Sequence, residues 1–262
     1  MLPFGTHVPI LNTLIDTYKA VDDMNMPSFQ IFLGNPKSYT RRTVFDSDIQ
    51  KCASSKSTMY IHSPYIFSLT NQDVHDKCKN SLVYELETCH KLGCRCGGVV
   101  VHPGSHKDTQ KGLDKIVENI NIMYRDHPNL GTLLLENSCG QGTTLPNTLE
   151  HIGYITNHIG NHSNVGICID TCHAFASGLT SFEDSPNFRR KIDEIIGIDK
   201  IKLIHLNDSM TPFASHKDRH HTLGAGHIWN KDKIKSFMDV FWDIPKVSET
   251  GTYFEDLSFA NE

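Results

Sequence analysis

Six apolar runs in this chain each end at, or within two residues of, a side chain that can bind a metal: His62, His102, Glu136, Asp170, His205 and Glu249. A polar stretch adds Asp218 and His220, two apart, which share one side of an extended segment. His173 follows Asp170 by three. Imidazoles and carboxylates at this density are costly to bury unless they are paired or bound to metal. A single strand-end histidine such as His62 reads equally well as a polar side chain turned to water. Six such residues at six strand ends are poorly explained by packing alone.

These nine residues set the expected chemistry. A catalytic zinc takes about three protein ligands and keeps a place for water. Nine ligands with one bridging carboxylate therefore predict three metals. A nitrogen-rich set with several carboxylates favours Zn²⁺, with Mn²⁺ the alternative at the oxygen-rich position. Divalent ions roughly 3.5–4 Å apart serve in-line phosphoryl displacement. The favoured reaction is phosphodiester cleavage by a metal-activated hydroxide, with Glu136, Asp170 and Glu249 as the carboxylates placed to act in catalysis.

The elements that must position these groups follow from hydrophobic periodicity. Strands are predicted within residues 1–8 and over 29–33, 58–61, 97–101, 132–135, 165–169, 201–204 and 244–247. Helices are predicted over 10–21, 46–55, 74–92, 113–124, 148–158, 188–196, 231–241 and 253–260. This strand-then-helix alternation, at about 30 residues per unit, predicts an α/β fold: a (β/α)8 TIM barrel forming a single domain over residues 1–262. A doubly wound open sheet is the alternative, and the short last helix predicts looser closure there. In a barrel the C-terminal strand ends share one mouth, so the six strand-end residues would converge.

Net charge is −5, from 25 Lys+Arg and 30 Asp+Glu. There is no global basic field, so an anionic partner must be met by a local patch or by metal. The eight cysteines are expected to be buried thiols in a reducing compartment. Cys94-Arg95-Cys96 lacks a second cysteine pair and is not read as a zinc site. The first nine residues do not resemble a secretory leader, and no apolar stretch approaches the roughly 20 residues of a membrane span. An intracellular protein is expected, in cytoplasm or nucleus depending on its source. Of the sixteen histidines, His216, His221 and His227 are expected to face water or to orient a ligand. His7 is a weaker substrate-side candidate.

The sequence resembles the endonuclease IV family of apurinic/apyrimidinic (AP) endonucleases. The likeness runs from GTHV (5–8) through VVHPGSH (100–106), LENSCGQG (135–142), VGICIDTCHAFASG (165–178), HLND (205–208) and DRHHTLGAGHI (218–228) to SET (248–250). It implies three zinc ions on a (β/α)8 barrel. His62 and His102 would hold the first, bridged by Glu136 to a second held by Asp170, His205 and Glu249. His173, Asp218 and His220 would hold the third. The implied reaction is incision of duplex DNA 5′ to an abasic site, leaving a 3′-hydroxyl and a 5′ deoxyribose phosphate, with trimming of blocked 3′ ends. The enzyme would act as a monomer away from membranes.

The resemblance also implies that the damaged nucleotide is flipped out of a bent duplex, which suits a site that has lost its base pairing. The loops concerned are residues 35–39, with Lys37 where arginine is usual and Tyr39 beside it, and Tyr65-Ile66 as an apolar wedge. The chain departs from the family at Phe67-Ser68, where an asparagine is usual, and at Met210 and Ala214, where lysine and glycine are usual. These positions bear on loop conformation and phosphate contacts. A sugar isomerase or epimerase on a related barrel is the enzymatic alternative, but such enzymes lack the His173, Asp218 and His220 grip. A non-catalytic zinc-bound recognition module would be favoured by a missing ligand, and none is missing.

Overall fold

Side chains alternate between the two faces of a strand, so residues two apart share a face. The computed structural model, which describes residues 4–70, 76–160 and 163–261, realises this in eight strands. They are β1 Gly5–His7, β2 Ser28–Ile31, β3 Thr58–His62, β4 Cys96–Val101, β5 Leu133–Glu136, β6 Val165–Asp170, β7 Ile201–His205 and β8 Lys246–Ser248. All neighbours pair in parallel and in chain order, and the ring closes through Gly5–Val247 and Thr6–Ser248. The open-sheet alternative is thereby excluded; the ring closes at the last unit too, where β8 pairs with each neighbour over two registered residues. Gly5 is required at this seam, because a Cβ there would lie 1.5 Å from the Ser28 carbonyl oxygen.

Inside the barrel, Tyr60, Val100, Leu134, Cys168, Leu203 and Val247 form a buried apolar plug separate from the larger core. Each lies two residues before His62, His102, Glu136, Asp170, His205 or Glu249. The period of two therefore stacks a polar layer directly above the plug, with every member turned inward. β1 and β2 add His7 and Gln30 to that layer. The intervening residues, such as Ile61, Val99, Val101, Leu133, Leu135, Ile167 and Ile169, point outward into the core beneath the helices.

The helices are α1 Leu14–Asp23, α2 Asp46–Cys52, α3 Asp76–Leu92, α4 Thr109–Asp126, α5 Leu149–His158, α6 Thr171–Ala176, α7 Ser185–Ile195, α8 Lys231–Val240 and α9 Tyr253–Asn261. Caps explain where sequence periodicity misplaced the starts. Asp108 accepts from the Lys111 amide and starts α4 four residues before Leu113, and Asp184 accepts from the Asn187 amide and starts α7 three residues before Phe188. The predicted start of α3 at residue 74 lies outside the described residues. α6 was not predicted, because its six residues are too few to show a period. Two short antiparallel two-stranded sheets pair Gly104–Ser105 with Thr144–Leu145 and Asp208–Ser209 with His220–His221. All eight cysteines are free and only Cys94 is exposed. Among the described residues no helix is long and apolar enough to cross a membrane.

Candidate metal centre

The nine predicted side chains converge into three groups whose ligand atoms lie within 4.8 Å of one another. The first is His62, His102 and Glu136, with the two Nε2 atoms 3.5 and 3.1 Å from Glu136 Oε2. The second is Glu136, Asp170, His205 and Glu249. His205 Nδ1 lies 3.0 Å from Glu136 Oε1, 3.2 Å from Glu249 Oε2 and 3.9 Å from Asp170 Oδ2. The third is His173, Asp218 and His220, with Asp218 oxygens 3.1 and 3.3 Å from the two Nε2 atoms. Glu136 thus turns one oxygen to each of the first two groups, and Asp170 Oδ2 lies 3.6 Å from His220 Nε2 at the edge of the third. A cavity of about 230 Å³ above them is lined by Tyr65, His102, Glu136, His173, Asp218, His220 and Glu249.

The donors fit divalent cations. Glu136 Oε2, His173 Nε2 and His220 Nε2 are buried and make no hydrogen bond, although each has another ionisable side chain of the cluster within 3.6 Å. They are aimed past one another at shared points, as atoms surrounding an ion would be; buried polar atoms are otherwise hydrogen-bonded. Burial opposes charge throughout the cluster, and at most members the charges prevail. His102 and His205 hold the Glu136 carboxyl well below its ordinary value, and His205 holds Glu249 at about 2. Asp170 and Asp218 raise His173 well above its ordinary value despite its burial. His205 is likewise raised, against burial, by Cys168, Glu249 and Glu136. Burial wins at His102 and His7, whose imidazoles fall to about 4 and are neutral, and at Asp170, whose carboxyl it raises.

The fold aims these groups through polar partners. Asp170 caps α6, Oδ1 accepting from the His173 amide at 2.6 Å, which leaves Oδ2 for the centre. His173 Nδ1 donates to Asn137 O at 2.9 Å and His62 Nδ1 to Ser63 O at 2.7 Å, so each ring presents Nε2 inward. Asn207 Nδ2 donates to Asp170 Oδ2 at 2.6 Å and Glu249 Oε2 at 3.2 Å, while its Oδ1 accepts from the Glu249 amide at 2.9 Å. The buried Asp208 carboxylate accepts from the amides of Ser209, Gly224, Gly226 and Ile228, which organises the loop beyond the Asp218–His220 grip. Sequence reasoning passed over Gln30, Asn137, Asn207 and Asp208. Their signal was present: Gln30 interrupts an apolar run, and the others adjoin ligands in otherwise buried sequence.

Of the loop residues, Lys37 is exposed and Tyr39 half-buried, its hydroxyl donating to Ile66 O at 2.9 Å. Tyr65 and Ile66 are 57% and 43% exposed, so they project from the mouth instead of packing beneath a helix. The Tyr65 ring also stands 5.7 Å from His62 and 6.1 Å from His102. His216 Nδ1 bonds Cys139 O at 3.1 Å, His221 Nδ1 accepts from the Thr222 amide, and His227 is exposed; none joins the three groups. Cys172 lies within reach of Asp170 and His220, but burial pushes its thiol up to about 12 and keeps it protonated, a poor ligand.

A closed parallel barrel with histidines and carboxylates at its strand ends defines a class, and the family described as xylose isomerase-like TIM barrel matches residues 18–250. Within that class the relatives are specific. A probable endonuclease 4 of Halothermothrix orenii is 36% identical over 241 residues, covering 87% of this chain and 85% of the relative. A probable endonuclease 4 of Aquifex aeolicus is 30% identical over 264 residues, covering 94% and 93%. The crystal structure of endonuclease IV from Thermus thermophilus superposes with a TM-score of 0.84 at 25% identity, covering 98% of this chain and 96% of that one. The chain belongs to the endonuclease IV family of AP endonucleases, hydrolases that act on phosphodiester bonds of DNA in repair. A D-psicose 3-epimerase from Clostridium cellulolyticum, at 14% identity and a TM-score of 0.65, shares the fold alone.

Proposed function

We propose that the chain binds three divalent metals, zinc at two or all three positions and Mn²⁺ acceptable at one. With them it incises duplex DNA 5′ to abasic sites, leaving a 3′-hydroxyl and a 5′ deoxyribose phosphate, and trims blocked 3′ ends. The observation that carries this reading is the divided Glu136 carboxylate together with a third grip facing the same cavity. His62, His102 and Glu136 Oε2 would hold one ion, and Glu136 Oε1, Asp170, His205 and Glu249 the next. His173, Asp218 and His220 would hold the last. Bound there, such ions supply Lewis acidity, lowering the pKa of a water and offsetting charge on the phosphoryl oxygens.

The electrostatics favour the same reading. Glu136, Asp218 and Glu249 turn three carboxylates toward the cavity, with Asp170 buried behind them, and a phosphodiester would be repelled from it unless cations lay between. Tyr65 is the one phenol or benzyl ring among the lining residues, so the walls suit a sugar and a phosphate better than a base. Tyr65 and Ile66 would fill the gap in the base stack, Tyr39 would brace them through Ile66, and Lys37 would meet backbone phosphate. All of these groups come from one chain, so a monomer suffices. The deciding experiment is cleavage of a duplex carrying one abasic analogue, with a metal assay on the same preparation. Incision 5′ to the lesion that is lost on prolonged chelation supports the reading. Fewer than two zinc per chain in active protein defeats the three-metal form, and turnover of a sugar without strand cleavage defeats the whole.

A further inference from the structure

Gln30 is the inward side chain of β2 in the polar layer, fully buried, and it belongs to none of the three ligand groups. Both ends of its amide are engaged. Nε2 lies 2.7 Å from Glu249 Oε1 and 3.2 Å from His7 Nδ1, and Oε1 lies 2.9 Å from His205 Nε2. The carboxylate decides which way the amide faces. An amide oxygen at 2.7 Å from Glu249 Oε1 would oppose two acceptors, so the nitrogen must point there. The amide oxygen is then committed to His205 and can only accept, so His205 carries its hydrogen on Nε2. Its other nitrogen, Nδ1, faces Glu136 Oε1 at 3.0 Å and Glu249 Oε2 at 3.2 Å. A bare lone pair against two carboxylates is favourable only when a cation lies among them.

We infer that Gln30 is a positioning residue of this centre: one buried amide orients Glu249 and selects the His205 tautomer that presents Nδ1 to the metal shared with Glu136, Asp170 and Glu249. His7 takes the second amide hydrogen and holds the amide plane against the barrel wall. The inference rests on the metal-binding reading above.

The test is metal retention by the purified protein under graded chelator, compared between the parent and Gln30→Met, a side chain of similar length with no amide. Polar partners behind a metal ligand typically change metal affinity about 10–100-fold. Gln30→Met is therefore expected to release one class of metal at about 10–100-fold lower chelator concentration, while the remaining metal is held as in the parent. In metal-loaded parent protein, ¹⁵N shifts of the His205 ring should report a hydrogen on Nε2 and metal at Nδ1, and Gln30→Met should lose that single pattern. Should Gln30→Met not fold, Gln30→Glu serves in its place, because it keeps the acceptor for His205 but sets a carboxylate against Glu249. A parent that holds metal no more tightly than the variant that folds overturns the inference alone. A parent that holds no metal overturns the metal-binding reading and this inference with it.

Discussion

Glu249 reaches the centre from the end of β8, the last barrel strand, held by hydrogen bonds with Gln30 and Asn207 on two other strand ends. Replacing it with glutamine keeps the shape and removes one negative charge where the reacting phosphate must be met. Glu249→Gln is expected to bind abasic duplex normally and to cut it about 10²–10³-fold more slowly, the loss typical of one preorganised electrostatic group. Undiminished cutting in a single-turnover assay would remove Glu249 from the catalytic set. A second outcome concerns protons. His173 and His205 are raised well above the ordinary imidazole value, so in the metal-free protein they hold protons at neutral pH. A metal must displace those protons, so apparent metal affinity rises with pH and fails on acidification. Calorimetric titrations in buffers of different ionisation enthalpy should show proton release on metal binding, and an absence of release would contradict these directions.

At the scale of elements, α3 joins the loop over residues 35–42 to the end of β3. Buried Glu85 of α3 lies 3.3 Å from Arg41 Nε and accepts from Ser63 Oγ at 2.5 Å, and Ser63 in turn receives the His62 ring. Arg41 Nε also donates to Ser81 of α3 at 2.8 Å, and Tyr84 of α3 holds the backbone at Arg42 and Val44. Tyr39 and Tyr65 close the same unit, through Ile66 O and Pro36 O. The two loops that would enter the duplex are therefore one braced body, which lowers the cost of ordering them on binding. Arg41→Met should loosen the brace while sparing the ligand groups. The expected result is a several-fold rise in KM for abasic duplex with kcat nearly unchanged, together with faster proteolysis within residues 35–42. A fall in kcat with KM unchanged would place Arg41 in the chemistry instead.

For the molecule as a whole, the barrel needs no covalent staple, and its thiols report how well it is packed. Brief alkylation of the native protein should label Cys94 alone, with the other seven reacting only after denaturation; rapid labelling of several thiols, read by mass spectrometry, would contradict the packing. The same burial sets the alkaline limit. Burial raises Cys52, Cys168 and Cys172 to about 12, while unfolded thiols ionise near 8.5. Their stabilising contribution is complete below about pH 8.5 and is lost as pH rises toward 12. Because these thiols stay protonated in the fold, the unfolded chain loses its protons first, and stability falls through that window. Lys246, lowered by burial to about 8, acts oppositely between pH 8 and about 10.4, as does Cys89, lowered by its hydrogen bond with Cys96, but they are two groups against six thiols raised by burial. The urea midpoint should therefore fall between pH 8.5 and 10, and a flat or rising midpoint would refute the balance.

The strand ends were legible in the sequence because periodicity is local information. Apolar runs that each stop at a histidine or carboxylate, spaced by helices, can meet only at one mouth of a parallel barrel. His62, His102, Glu136, Asp170, His205 and Glu249 followed from that alone, and motif likeness added the grouping with His173, Asp218 and His220. Helix starts at Thr109 and Ser185 were less legible, because a capping aspartate decides them and not the apolar period. Gln30 was invisible as a functional residue for a different reason. Its partners His205 and Glu249 stand 175 and 219 residues away in the chain, and only the closing of β1 onto β8 brings them within hydrogen-bond distance. The sequence by itself determined which chemical groups reach the mouth of the barrel. Tertiary structure decided which atom of each faces the cavity, because hydrogen bonds across the closed ring, and not residue type or spacing, select rotamer and tautomer.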